Sequence, residues 1–259
     1  MRLPMSVAAR VKYAAYASGI HFLATCALAL LASALVFLVW YPYPYRDLAG
    51  GIELFLLIIS VDAVCGPLLT LVLFSPAKSK TDLWRDMALV VVIQSAALGY
   101  GLQTMWQARP LYLVMEIDRF KVVIRHAIDK VALSQLPPEL QTQPWVGPLV
   151  VGIREPKDAK ERDKVMFEAV QGGRDYAERP EFYVPYTTAA AAKALVKAKP
   201  LSVFLQKQPS QLVAANELAA KKGADISQLM YLPVIARQDW VAVLNKQGQI
   251  QGFLKGDGF

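Results

Sequence analysis

The chain has 259 residues, of which 55% are apolar, and its formal net charge is +7. The apolar residues are concentrated in the first 106 positions, so a protein that is soluble over its whole length is excluded. Residues 107–259 carry 21 Lys or Arg and 16 Asp or Glu, for a net charge of +5. These charges are interspersed, which argues against nucleic acid as a partner and suits a solvated surface near anionic membrane lipid.

Three long apolar stretches lie in the first part of the chain, at residues 19–40, 52–74 and 87–106. A helix rises about 1.5 Å per residue, so each stretch is long enough to cross a hydrocarbon core of about 30 Å. The pattern therefore predicts a region of three transmembrane helices. A cleaved signal peptide ending near Ala34 is the alternative for the first stretch, but its apolar run continues to Trp40. Because that run is longer than a signal-peptide core, we expect a retained helix.

The basic residues of the short polar segments predict the orientation. Arg2, Arg10 and Lys12 precede the first helix. The loop between the second and third helices is basic again, through Lys78, Lys80 and Arg85. Such residues mark the cytoplasmic side, so residues 1–18 are expected in the cytoplasm. Three crossings then place residues 107–259 in the periplasm of a bacterium, next to the inner membrane.

Residues 107–259 are predicted to form a soluble α+β domain, because strand and helix patterns alternate without a regular βαβ rhythm. Strands are expected at 111–117, 120–124, 149–153, 201–205, 231–237, 240–245 and 250–254, and helices near 128 and at 157–170, 187–199 and 210–222. Ser210 and Gly223 are expected to cap the last helix at its two ends. The stretch 135–148 is rich in Pro and Gln and is expected to be a loop.

Enzyme signatures are missing from this domain. It contains no Gly-x-Ser-x-Gly, no His-Glu-x-x-His and no phosphate-binding glycine loop. His126 is its one histidine, and both cysteines, Cys26 and Cys65, lie in the membrane helices. Glu161 and Glu168 form a carboxylate pair on a helix of mixed charge, which is typical of a solvated surface. We therefore expect no enzyme activity, no cofactor and no metal.

Asp62 is an ionisable residue inside the second apolar stretch, where a charge is costly. Helical spacing places it on one face with Gly66 and Thr70. Three interpretations remain open: a structural hydrogen bond to Gln94 or His21 on a neighbouring helix, a contact with a partner's membrane helix, or a place in an ion or proton path. The last is disfavoured because such a path usually needs more polar residues and more helices.

An ordered set of short motifs surrounds the three stretches. They are Trp40-Tyr41-Pro42, then Asp62 with Gly66-Pro67-Leu68-Leu69-Thr70 and Phe74-x-Pro76-x-Lys78, then Gln107-Ala108-Arg109-Pro110-x-Tyr112 and Asp118-Arg119-Phe120-x-Val122-Val123. In this order the set resembles the type IV pilin accessory proteins of the TfpX/TfpZ type. The resemblance is strong over residues 15–125; elsewhere it rests on length and on the closing hairpin.

The resemblance implies an inner-membrane partner of a cognate type IV major pilin, acting without catalysis as a pilin-specific chaperone or as a modulator of pilus assembly and dynamics. Other pilus assembly machinery is a further candidate partner. The candidate partner-binding residues are Asp62, Gly66, Pro67, Thr70 and Gln94 in the membrane helices, and Arg109, Asp118 and Arg119 in the soluble domain. Two alternatives stay open: a membrane-anchored periplasmic sensor or scaffold that binds a small ligand or cell-wall component, and a small hydrolase.

Overall fold

The computed structural model describes residues 7–128, 130–134, 136–141 and 144–259. Within them the chain forms two compact units. The first, the membrane region, comprises the described residues up to Val39 together with Gly51–Trp106. The second, the soluble domain, comprises Trp40–Gly50 and Gln107–Phe259. Arg2, used above for the orientation, lies outside the described residues, as do Gln135, Thr142 and Gln143 of the expected loop.

Long helices dominate the membrane region. Helices α1 to α4 are, in order, Val7–Leu35, Tyr45–Leu48, Gly51–Leu73 and Lys80–Ala108, with a π-helical turn at Val36–Trp40. Of these, the short helix α2 belongs to the soluble domain. Within the described residues, three helices are long and apolar enough to cross a membrane: α1 with its π-helical turn, α3 and α4. The predicted architecture, a three-helix membrane anchor followed by a soluble α+β domain, is confirmed.

In the part of the soluble domain that the structure describes, eight strands form one mixed sheet. Strands β1 to β8 are, in order, Pro110–Glu116, Arg119–Ile124, Leu149–Ile153, Tyr183–Pro185, Lys199–Pro200, Met230–Ile235, Trp240–Leu244 and Ile250–Lys255. Their order in the sheet is β4-β3-β1-β2-β6-β7-β8, and β5 pairs with β6. Strand β1 runs parallel to β3, and β2 parallel to β6, whereas the other pairs are antiparallel.

Short helices connect these strands. Helices α5 to α10 are, in order, Lys130–Ser134, Pro138–Gln141, Ala159–Val170, Thr188–Lys197, Leu201–Lys207 and Leu212–Lys222. The 3-10 turns are Arg125–Ala127, Tyr176–Glu178, Pro180–Phe182, Pro209–Gln211 and Ile226–Gln228. Helix α10 ends at Gly223, whose φ of 61° is the left-handed conformation that glycine adopts readily. The expected stop at Gly223 is confirmed.

Three local predictions are wrong. The run 201–205, expected as a strand, is the first part of α9, where Leu201 and Phe204 are three positions apart and both fully buried, as on one face of a helix. Ser210 does not cap α10, because it lies in the preceding 3-10 turn and Gln211 takes the N-cap position. The expected loop at 135–148 contains α6, which buries Leu140 against the sheet.

The segment Trp40–Gly50 contributes to the core of the soluble domain. Leu48 is fully buried in a cluster that includes Leu113 and Leu232 of the sheet. The main-chain N–H of Gln238 donates to the carbonyl oxygen of Leu48 at 3.2 Å. The segment that links the first two membrane helices is therefore part of the soluble domain. No sequence pattern indicates this placement.

Candidate functional site

Asp62 lies at the midpoint of α3, eleven residues from either end of this 23-residue helix. If α3 spans a bilayer, the carboxyl group lies near the centre of the hydrocarbon core, where ionisable groups are costly and rare. Gly66 and Thr70 lie on the same face of α3 and are buried like Asp62, which is 5% exposed. The face expected from helical spacing is thus the buried face of the helix.

Gln94 of α4 connects all three membrane helices. Its Nε2 donates to the carbonyl oxygen of Asp62 at 3.1 Å and to Oγ1 of Thr25 at 3.2 Å. Its Oε1 lies 2.5 Å from Nε2 of His21. Because a main-chain carbonyl oxygen only accepts, the amide nitrogen of Gln94 must face Asp62, and its oxygen must face His21. Nε2 of His21 therefore carries a proton and donates to Gln94.

The second nitrogen of His21 completes this network. Nδ1 of His21 lies 2.5 Å from Oγ1 of Thr70. In the neutral imidazole with its proton on Nε2, Nδ1 accepts the hydroxyl proton of Thr70. Thr25 donates to the carbonyl oxygen of His21 at 3.1 Å. The side-chain polar atoms of Gln94 and His21 are all satisfied, as polar groups in lipid require. Sequence reasoning missed Thr25, although its spacing of four from His21 places both on one helix face.

Gly66 makes room for this network. A Cβ atom built on Gly66 would overlap the carboxamide of Gln94, so the close approach of α4 requires glycine at this position. Pro67 lies inside α3, and its carbonyl oxygen accepts a hydrogen bond from Oγ of Ser18 at 2.8 Å. The structure thus brings Gly66, Pro67, Thr70 and Gln94 together in contacts between the membrane helices.

The carboxylate of Asp62 stands apart from the network. Among the described residues, no hydrogen bond or ion pair reaches it, and the contact between Asp62 and Gln94 is made by the main chain. The side chain lines a cavity of about 290 Å³ between α1 and α4, with Asp62 and Ile59 contributed by α3. The remaining lining residues are His21, Thr25 and Gln94 of the network and Ile20, Ala24, Leu28, Ala29, Val91, Ser95 and Leu98.

Arg109 is a buried residue of the soluble domain rather than a surface one. It is 2% exposed, and its Nη1 donates to the carbonyl oxygen of Pro144 at 3.2 Å. Burial, together with the nearby charge of Arg125, lowers the pKa of Arg109 to about 10. The guanidinium group connects the start of β1 to the segment before β3.

Asp118 and Arg119 lie at the exposed turn between β1 and β2. Nε of Arg119 donates to Oδ1 of Asp118 at 2.6 Å, and the Arg119 guanidinium lies 4.9 Å from the ring centroid of Phe259. The hydrogen bond from Arg119 lowers the pKa of Asp118. Ile117, the preceding residue, is 71% exposed and has a φ of 36°, which a β-branched side chain rarely adopts. We name the surface formed by Ile117, Asp118, Arg119 and Phe259 the turn patch.

A second cavity, of about 350 Å³, lies at the carboxyl ends of the parallel strands β1 and β3. Its lining includes Met115, Gly152, Arg154, Tyr176 and Lys193. Its basic groups are paired, since Arg154 contacts Glu161 at 2.9 Å and Lys193 contacts Glu155 at 2.7 Å. The hydroxyl of Tyr176 is buried without a hydrogen-bond partner among the described residues. Sequence reasoning missed this cavity, because its walls come from segments far apart in the chain.

Among the described residues, no group of three or more His, Cys, Asp or Glu is placed to hold a metal ion. Cys26 of α1 and Cys65 of α3 are free thiols.

Comparison with known proteins identifies several relatives. A family model described as fimbrial assembly protein FimB matches residues 9–50, from α1 to the end of the segment Trp40–Gly50. The serogroup I fimbrial assembly protein of Dichelobacter nodosus is 34% identical over 253 residues, which cover 96% of this chain and 98% of that protein. The serogroup E1 protein of the same organism is 33% identical over the same coverage. The protein of serogroups C1 and C2 is 40% identical over 128 residues, which cover 49% of this chain and 95% of the relative. No solved structure matches the chain significantly.

Proposed function

Because the chain belongs to the family of fimbrial assembly proteins, we propose that it is an inner-membrane accessory protein for a cognate type IV major pilin and acts without catalysis. The family supports a role in pilus assembly, and the three apolar helices anchor the protein in a membrane. Within that role, our proposal is a pilin-specific chaperone or a modulator of pilus assembly and dynamics. The observation that carries it is the similarity to fimbrial assembly proteins over nearly the whole length of both chains.

The two units of the chain suit the two parts of a pilin. Before assembly, a pilin is held in the inner membrane by an apolar N-terminal helix, and its globular head lies in the periplasm. In our proposal the membrane region contacts the pilin helix on the side of Asp62, while Gly66, Pro67, Thr70 and Gln94 hold the helices in the arrangement that presents this side chain. Asp118 and Arg119 of the turn patch contact the head. Other pilus assembly machinery is a second candidate binding partner for the turn patch.

Arg109 supports this arrangement from inside the soluble domain. Its hydrogen bond to Pro144 fixes the segment that leads into β1, and β1 in turn carries the turn patch at its far end. We therefore expect Arg109 to affect pilin contact through the position of β1, without touching the pilin.

The proposal places the soluble domain in the periplasm and the loop between α3 and α4 in the cytoplasm, because that loop is basic. Two exposed positions test this, Ser227→Cys in the soluble domain and Lys80→Cys at the first residue of α4, next to the loop. A thiol reagent that does not cross the inner membrane should label the first variant in spheroplasts and the second only after lysis. The native chain is the control for Cys26 and Cys65, and the opposite labelling pattern would contradict the orientation.

Cross-linking in the native membrane tests the function itself. The full chain, tagged at one end, is cross-linked in growing cells, and the products are identified by mass spectrometry. We expect the major pilin as the main product, and we expect loss of the protein to lower the amount of pilin or of surface pili. A membrane protein of similar abundance with the same tag serves as control. If the pilin is absent from the products and piliation is unchanged without the protein, the proposed function is wrong.

The cavity of the soluble domain favours one alternative, a membrane-anchored sensor or scaffold. Its position at the carboxyl ends of two parallel strands is a common place for ligands, and the Tyr176 hydroxyl supplies an unused hydrogen-bonding group. A thermal shift of the full chain with soluble cell-wall fragments tests this role, with Tyr176→Phe as the matched variant. A shift that Tyr176→Phe removes would support a sensor, whereas no shift in either protein argues against it.

A further inference from the structure

The carboxylate of Asp62 identifies the kind of group that the membrane region accepts from its partner. We propose that the cavity between α1 and α4 receives a hydrogen-bond donor carried by the pilin's membrane helix, and that Asp62 is the acceptor. The donor belongs to the class of ammonium, guanidinium, hydroxyl or amide N–H groups. This inference rests on the proposed function and specifies the chemistry of its membrane contact.

The first step is the balance of donors and acceptors around the cavity. Both amide hydrogens of Gln94, its oxygen and both ring nitrogens of His21 are engaged by neighbouring helices. Asp62 is 5% exposed, and nothing among the described residues donates to its carboxylate. The cavity therefore offers an incoming group an acceptor that the described residues leave unused. A group that satisfies this acceptor is a donor.

The second step concerns depth. Asp62 is the central residue of α3, so a group that reaches it is carried near the middle of the bilayer. Water is scarce at this depth, and a carboxyl group without a partner is costly there. A helix that supplies a donor removes this cost on binding, whereas a wholly apolar helix leaves it in place. The arrangement therefore discriminates between membrane helices as well as attracting one.

The third step concerns size. A cavity of about 290 Å³ is comparable to the smallest ligand sites and has room for a side chain, not for a helix backbone. Ala24, Ala29 and Ser95 line it, and small residues allow a second helix to approach closely. The bonds of Gln94 hold α4 in place, so the opening is a fixed feature of the three-helix packing. One inserted side chain from a helix that lies against α1 and α4 fits these dimensions.

Site-specific photo-cross-linking in the native membrane tests the location. A photoreactive residue replaces Leu28 or Leu98, which line the cavity, or Leu23 or Tyr100, which are exposed but do not line it. We expect pilin to be captured from the first pair at least about fivefold more than from the second. Capture of a second copy of this chain at the cavity positions, in place of pilin, would overturn the inference.

Two substitutions at Asp62 test the chemistry. Asp62→Ala removes the acceptor and should lower capture at Leu28 and Leu98 about tenfold, the size of a hydrogen bond between helices at the upper end of its measured range. Asp62→Asn keeps one acceptor oxygen and removes the charge. If it binds like the native chain, the donor is neutral; if it behaves like Asp62→Ala, the donor is cationic. Undiminished capture by Asp62→Ala would overturn the inference.

The same experiment separates failure of this inference from failure of the proposed function. Capture of pilin from a photoreactive residue at Ile117 in the turn patch, without capture from the cavity, would overturn the inference and leave the proposed function intact. Absence of pilin at every position would count against both. Because the Asp62 carboxylate makes no hydrogen bond or ion pair with the described residues, Asp62→Ala should keep the native expression level, which excludes misfolding as the cause of a loss.

Discussion

The two units of this protein differ in their buried residues, because polar side chains make up a larger share of them in the membrane region than in the soluble domain. In the soluble domain most of the buried residues are apolar, and Leu113, Phe120 and Leu232 are at most 1% exposed. In the membrane region the leucines point outward, with Leu30 and Leu38 each about 71% exposed, while polar residues such as Thr70 are buried. The solvent explains the difference, because water drives apolar groups together and lipid does not. Polar bonds and close glycine contacts therefore contribute to packing in the membrane region, beside buried apolar residues such as Val36 and Val90.

The segment Trp40–Gly50 shows that position in the sequence does not decide which kind of packing a residue adopts. By sequence it joins two membrane helices, yet its contacts follow the rule of the soluble domain. Tyr41 is 1% exposed, and Tyr45 packs edge-on against Phe253 with ring centroids 5.7 Å apart. Burial raises the pKa of both tyrosines above the ordinary value for tyrosine. A fragment that begins at Gln107 would lack these groups, so the soluble domain is best studied within the full chain.

The largest expected effect is that of Leu48→Ala. Leu48 is fully buried in the same cluster as Leu113 and Leu232, so truncation should destabilise the soluble domain by about 2–5 kcal/mol. Protease resistance of the detergent-solubilised full chain, measured against temperature, reports this change. Leu38→Ala removes the same atoms from an exposed position and should have no comparable effect. If both variants lose stability equally, the segment does not belong to the core of the soluble domain.

A smaller effect is expected for Gly66→Ala in the membrane region. The added methyl group would overlap the carboxamide of Gln94 and displace it, at a cost of about 1–3 kcal/mol from overpacking and broken hydrogen bonds. Unfolding of the purified protein in mixed micelles, followed by circular dichroism, measures the loss of stability.

Gly99→Ala is the matched control for this substitution. A Cβ atom at Gly99 of α4 would meet nothing within 4 Å, so the same chemical change should be tolerated there. Equal stability of the Gly66→Ala and native proteins would show that Gln94 does not need the space, and the network would lose its assigned role in packing α4.

The sequence predicts those features that depend on local periodicity. Asp62, Gly66 and Thr70 share the buried face that a period of 3.6 residues demands, and Gly223 stops α10 because its conformation is a property of one residue. The order of motifs around the membrane stretches also predicts the family correctly.

Features that depend on contacts with residues far away in the sequence cannot be predicted from local periodicity. The apolar run from Leu201 to Leu205 is too short for its periodicity to separate a strand from a helix, and packing decides in favour of α9. The burial of Leu48 depends on the sheet, more than sixty residues later in the chain. That the described residues donate no hydrogen bond to the Asp62 carboxylate becomes apparent only once the bonds of Gln94 and His21 are known. The spacing of polar residues in the sequence cannot show which of them lacks a hydrogen-bond partner.

The smallest expected effect concerns Glu161 at the start of α7. Its carboxylate accepts hydrogen bonds from Nη1 and Nη2 of Arg154, each at 2.9 Å, and from the main-chain N–H of Lys157 at 2.6 Å. The Arg154 bonds, followed by that of Lys157, lower the pKa of Glu161 from 4.5 to about 2. Because the pKa in the folded state is depressed, this stabilisation is fully present above pH 4.5 and is lost as the pH falls towards 2.

Glu161→Gln should therefore flatten the dependence of thermal stability on pH between pH 4.5 and about 2. At neutral pH the variant should lose no more stability relative to the native chain than a surface ion pair contributes.

The effect of salt should differ between the two units. At about 1 M salt the interaction between Arg154 and Glu161 is largely screened, so the native chain and Glu161→Gln should converge. The network of His21 and Gln94 lies between membrane helices, away from dissolved ions, so the destabilisation by Gly66→Ala should be the same at low and high salt. A strong salt dependence of the Gly66→Ala effect would mean that a charged group takes part in packing the membrane helices.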